Sequence, residues 1–164
     1  MPQMNDIGIL IHGYDLNSHD WEKIVWGNPP NSFGRIAKGL QLAIAERARL
    51  IYWGSGSSHK QGESEAKYSF LYAVSHAGQL LEFTGFDVYE IEAILGYVSC
   101  IDEDARSLAE EIERASWACN ERGVTKLILV SSPIQATDSL LCVAKLRKEG
   151  KIENLEVYVI AADL

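Results

Sequence analysis

Imidazole and carboxylate groups crowd one stretch of the chain, where His12, Asp15, His19 and Asp20 stand close together. Such groups ligate divalent ions and serve as general acids and bases. Their spacing matches no specific zinc signature, which leaves two readings: a metal-dependent hydrolase built on His12, Asp15 and His19, or a solvated turn. Three other clusters carry suitable chemistry. Gly54-Ser55-Gly56 can bring backbone amides close to a ligand as an anion nest. Asp102, Glu103 and Asp104 stand together, and Asp104 is the one expected on the same side as Gly54 and Ser131. Ser131-Ser132 precede Pro133 and either offer hydroxyls and amides to a phosphate or ribose or form a plain turn.

Each cluster follows a short apolar run. In an open α/β sheet, the loops after the strands gather at the carboxyl edge, and ligands bind there at a topological switch point. Residues 7–12, 49–53, 126–130 and 154–161 read as strands, the first a continuous β-branched run of the kind buried on both faces. The connection over 13–30 is long enough to be functional, and Trp21 and Trp26 within it either stack a planar ligand or pack the loop down. Helices are expected from a cap at Asn31 or Ser32 to 47, from Glu63 or Ser64 to about 77, from a cap at Asp102 to 121, and over 136–148. Gly123 is the expected stop of the third. Within 78–100, residues 86–91 or 94–98 are each a candidate short strand. The alternation predicts an α/β fold of three layers, Rossmann-like, with a mostly parallel central sheet of about five strands, in a single domain over 1–164.

Composition narrows the function. The 164 residues are 47% hydrophobic and 23% charged, an ordinary globular make-up. The formal charge is −8 and the 15 Lys and Arg are scattered, which argues against a nucleic-acid binder. Cys100, Cys119 and Cys142 form no Cys-x-x-Cys pair and read as reduced thiols. No basic leader precedes the apolar run at 7–11, which is too short to span a membrane. The expectation is a cytoplasmic protein with a small-molecule partner, no nucleic acid and no membrane; the oligomeric state is not specified.

His12-Gly13 at a strand exit is similar to the oxyanion segment of α/β-hydrolases, but the partners are missing. Trp53 stands where the first glycine of Gly-x-Ser-x-Gly belongs, and no histidine follows His76 to complete a triad. Arg35 falls in the first turn of its helix, the wrong end for a cation, so it is expected to serve a ligand or a carboxylate unless it is simply solvated.

Over nearly its whole length the chain resembles the YdcF/SanA/ElyC-like family. The first strand opening into Gly13, Arg35 leading the first helix, and Gly54-Ser55-Gly56 followed by Glu65-Ala66 are similar to family elements, the last two to its Ser-Gly-Gly and Ser-Glu-Ala. Glu103-Asp104-Ala105 resembles its Thr-x-Glu-Asn-Ala helix start, and Val130-Ser131-Ser132-Pro133 its Val-Thr-Ser strand end. The resemblance implies a Rossmann-like domain with a polar cleft. Membrane-anchored members are associated with envelope biogenesis, and the soluble YdcF type, which this chain resembles, is linked to binding S-adenosylmethionine. Where the family typically has His and then Arg after that strand end, this chain has Gln135 and Asp138, which favours a less anionic or a cationic ligand, or a different reaction.

The expected ligand contacts are His12, Gly13, Tyr14, Arg35, Gly54, Ser55, Gly56, Ser131, Ser132 and Gln135, with Arg35 on an anionic group and Glu65 and Asp104 positioning Arg35 or binding ribose hydroxyls. Asp15, Glu65 and Asp104 are the expected acid–base residues, and no metal is assigned. The function expected is small-molecule binding: an enzyme acting on a nucleoside-like or polar metabolite, or a non-catalytic scaffold.

Overall fold

The computed structural model describes residues 3–162, with the backbone alone at Phe83; the expected domain over 1–164 runs two residues beyond these at either end. Strands β1 (Asn5–Ile11), β2 (Ala48–Gly54), β3 (Ser99–Asp102), β4 (Lys126–Ser131) and β5 (Glu156–Ala161) form one all-parallel sheet in the order β3-β2-β1-β4-β5. Parallel neighbours need long crossovers, and helices supply them. Helices α1 (Trp21–Val25) and α2 (Arg35–Ala45) lie between β1 and β2 in the chain, and α3 (Glu65–His76) and α4 (Val88–Val98) between β2 and β3. Helix α5 (Leu108–Arg122) leads to β4, and α6 (Pro133–Lys148) to β5. The chain steps outward from β1 to β3, then returns to place β4 on the other side of β1. The carboxyl ends of β1 and β4 therefore flank the switch point.

Side chains of alternating residues go to opposite faces of the sheet, and helices cover both. Ile9, Ile11, Ile51, Trp53 and Val130 pack with Trp21, Ile36, Leu40, Ala73 and Leu95 of α1 to α4. Leu10, Leu50, Tyr52, Leu127 and Leu129 pack with Ile112, Ala115, Cys119, Val143 and Leu146 of α5 and α6. Burial of each large apolar side chain contributes about 1.5–3 kcal/mol, so β1 and β4 can be apolar throughout their centres.

Several local expectations need correction. Neither 86–91 nor 94–98 is a strand: Ile91, Ile94, Leu95 and Val98 are buried at helical spacing in α4, which opens with a reciprocal Asp87–Glu90 capping box, and the strand follows it as β3. Asn31 and Ser32 do not cap α2. They belong to a small hairpin pairing Gly27–Asn28 with Ser32–Phe33, and α2 starts after Gly34. Helix α6 begins at Pro133, three residues before the expected 136, because proline fits the first helical position. Gly123 does end α5, in the left-handed region at φ 70°. Among the described residues no helix is long and apolar enough to cross a membrane.

Asp102 is the last residue of β3 and not a helix cap; that role belongs to Ser107, whose hydroxyl accepts the Glu110 amide at 3.2 Å. The Asp102 carboxylate instead braces the loop, accepting the amides of Asp104 (2.9 Å) and Ala105 (3.3 Å), the Arg114 Nε–H (2.5 Å) and the Tyr52 hydroxyl. Burial pushes this carboxyl up, but the Arg114, Tyr52 and amide hydrogen bonds outweigh burial and hold it below the ordinary aspartate value. Its contribution is therefore present above the unfolded value near 3.8 and is lost as pH falls through the lower folded value. Arg114→Leu should move the acid-unfolding midpoint to higher pH, as followed by circular dichroism from pH 5 downward, while leaving the transition at neutral pH two-state.

Candidate functional site

A cleft of about 490 Å³ opens where the loops after β1, β2, β3 and β4 converge. His12, Gly13 and Asp15 come from the first loop, Ser55 and Ser57 from the second, and Glu65 from the start of α3. Arg106, Ser107, Leu108 and Glu111 come from the entry to α5, and Gln135 and Asp138 from the first turns of α6. Of the expected residues, the fold thus brings His12, Gly13, Asp15, Ser55, Glu65 and Gln135 to one cavity.

Its centre is Glu111, which the sequence reading did not single out. This carboxylate is 1% exposed; its Oε1 accepts the Gly13 amide at 3.2 Å and its Oε2 lies 2.5 Å from His12 Nδ1. The signal was present in the pattern: residue 111 falls between Leu108 and Ala115 on the apolar stripe of α5, where a core residue belongs. Glu65, also buried, accepts hydrogen bonds from Ser55 Oγ at 3.1 Å and Ser58 Oγ at 2.6 Å. Ser58 Oγ in turn accepts the Leu16 amide at 3.0 Å, which ties the first loop to the second. The Ser64 side chain caps α3 and so sets Glu65 at its first position.

The glycines make room for protein rather than for a ligand. A Cβ at Gly54 would run into the Glu111 carboxylate, and one at Gly13 would sit 2.5 Å from Glu65 Oε1. One at Gly56 would meet the Glu103 backbone and the Arg106 guanidinium. Gly54 and Gly56 do not line the cleft, so an anion nest at Gly54-Ser55-Gly56 is replaced by a crossing of chain segments.

Arg35 lies under the cleft and does not line it. It is 1% exposed and donates from Nη1 to the carbonyls of His12 (3.2 Å) and Gly13 (3.1 Å) and from Nη2 to Gln135 Oε1 (2.9 Å). Its guanidinium carbon stands 4.9 Å from the centroid of the Tyr14 ring, and its buried Nε–H has no partner. Burial lowers its pKa to about 10 against the opposing attraction of Glu111, Tyr14 and Glu65. The expected contact of Arg35 with a ligand anion becomes a brace on the backbone that carries His12, and Tyr14 supports that brace.

The remaining expected contacts fall outside the cavity. Ser131 is fully buried, with Ser139 Oγ 3.5 Å from its hydroxyl, and Ser132 donates to Gln135 Oε1 at 3.3 Å. The Asp104 side chain is 83% exposed, lies 3.7 Å from Arg114 and does not line the cleft. His19 and Asp20 are exposed and do not line the cavity. Trp21 and Trp26 are buried and meet Tyr68 and Tyr72 edge-on, so they pack the loop. Burial raises all three thiols, Cys119 to about 12, and none lines the cleft. Among the described residues no group of three or more His, Cys, Asp or Glu is arranged to hold a metal ion.

Two substitutions test this anatomy by urea unfolding. Gly54→Ala should cost about 1–3 kcal/mol, since its methyl and the Glu111 carboxylate compete for one space. Arg35→Met, nearly the same shape, should cost about 1–3 kcal/mol because two carbonyls and Gln135 lose their donor; an unchanged midpoint would show that Arg35 braces nothing. No family model, curated protein or solved structure matches the chain.

Proposed function

We propose that the cleft binds a small, polar, nucleoside-like metabolite in the cytoplasm, with S-adenosylmethionine the first ligand to test. The observation that carries this reading is the convergence of four strand-end loops on one cavity of about 490 Å³ lined mostly by polar residues, beside the switch point and within the size range of small-molecule sites. Ser55, Ser57 and Gln135 supply hydroxyl and amide groups suited to a ribose or a base edge. Asp15, Glu65, Glu111 and Asp138 line the cleft against one lining guanidinium, Arg106, which suits an uncharged or cationic ligand better than a polyphosphate. The resemblance to the soluble YdcF type points the same way, since the sulfonium and amino groups of S-adenosylmethionine are cationic. No observation favours the metal-dependent reading, because His12 commits Nδ1 to Glu111 and His19 stands outside the cavity.

Thermal denaturation with a panel of S-adenosylmethionine, S-adenosylhomocysteine, adenosine and ATP tests the proposal. A ligand that binds only the folded chain adds about 2.7 kcal/mol at roughly a hundredfold excess over its Kd, a readable rise in Tm. Asp138→Trp, on the exposed side of α6, should plug the cleft and remove that rise while the unliganded Tm stays as in the parent. Silence of the parent protein across the panel would refute the nucleoside reading.

A further inference from the structure

The geometry points to a catalytic role for the cleft: we infer that His12 is a base that takes the proton of a hydroxyl group, on the bound molecule or on water, and that Glu111 is its positioning residue. This rests on the cleft being a ligand site and adds what is done there. An ionised carboxylate only accepts hydrogen bonds, so Glu111 Oε2, 2.5 Å from Nδ1, places the imidazole proton on Nδ1 and leaves the lone pair on Nε2. Among the described residues Nε2 has no hydrogen-bond partner, and it is not one of their buried unpartnered atoms; the ring itself lines the cavity. The lone pair is therefore offered to whatever occupies the cleft.

The alternative is a staple that merely joins α5 to β1, and the energetics argue against it. Burying a carboxylate carries a desolvation penalty of several kcal/mol. An aliphatic residue at 111 would continue the stripe of Leu108, Ile112 and Ala115 with no such penalty. The charge sits on that stripe where it meets His12. Two of the other cleft carboxylates are less available: both Glu65 oxygens are taken by Ser55 and Ser58, and Asp15 Oδ1 accepts the Asn17 amide at 3.0 Å. Arg35, through the carbonyls of His12 and Gly13, fixes the backbone from which the ring projects.

In the step, the O–H bond of the hydroxyl breaks, an N–H bond forms at Nε2, and the electron pair stays on oxygen. The imidazolium keeps its Nδ1–H on Glu111, and the reverse transfer returns the proton when the product forms. No oxidant or reductant is required.

Imidazole 15N NMR of the full chain tests this, with His12→Gln used to assign one of the four histidines. The neutral form of His12 should be the Nδ1–H tautomer with a pyridine-type Nε2, and Glu111→Gln, whose amide can donate as well as accept, should give a tautomer mixture. Diethylpyrocarbonate followed by peptide mass mapping should carbethoxylate His12 in the parent protein. An Nε2–H tautomer in the parent, or a His12 that stays unmodified while exposed His19 and His59 are consumed, overturns the inference even if the Glu111 variant fails to fold. The Nδ1–H tautomer with a reactive His12 but no nucleoside-induced rise in Tm would sink the nucleoside reading and uphold this one; the opposite pattern would do the reverse.

Discussion

Everything at the carboxyl edge depends on charges held out of water. Glu111, Glu65 and Arg35 are each at most 4% exposed, yet Arg35 touches neither carboxylate through a direct ion pair among the described residues. The guanidinium is spent on backbone carbonyls and an amide, and the carboxylates on serines, an amide and an imidazole. Attraction between opposite charges in a poorly screened interior acts across these neutral groups and offsets part of the cost of burying each ion. The consequence is a set of loops whose positions are mutually dependent: the exits of β1 and β2 and the entries to α2, α3, α5 and α6 all contact at least one of the three ions.

The sheet explains why such a network can be sustained. Strand β1 is paired on both sides and covered on both faces, so its last residues are firmly anchored backbone. His12 and Gly13 follow directly from it. A side chain placed there inherits the rigidity of the core, which suits a group that must be oriented to within a fraction of an ångström.

The fold was legible wherever local pattern and burial agree, as in β1, β4 and the stripe of α5. It was obscured over 78–100, where a 3₁₀ turn, a short helix and α4 succeed one another and a short apolar run reads equally as strand or helix. Half of the site was legible too, because residues placed right after strands must reach the edge. What could not be read was depth. Arg35 and Ser131 lie on the right elements but point beneath the cavity, while Glu111 was hidden by belonging to a helix face that otherwise says only "core". Glycine was misleading for a related reason: sequence shows that a close approach is needed, and only the fold shows that the approaching group is Glu111 or Glu65.

Gly54 and Glu111 share one volume, and this ties together two positions 57 apart in the chain. A side chain at 54 and the carboxylate at 111 compete for it. A side chain gained at 54 therefore pushes on the carboxylate that stands beside His12. The smallest residue of the β2 exit is thus what gives a carboxylate of α5 the room to stand beside His12.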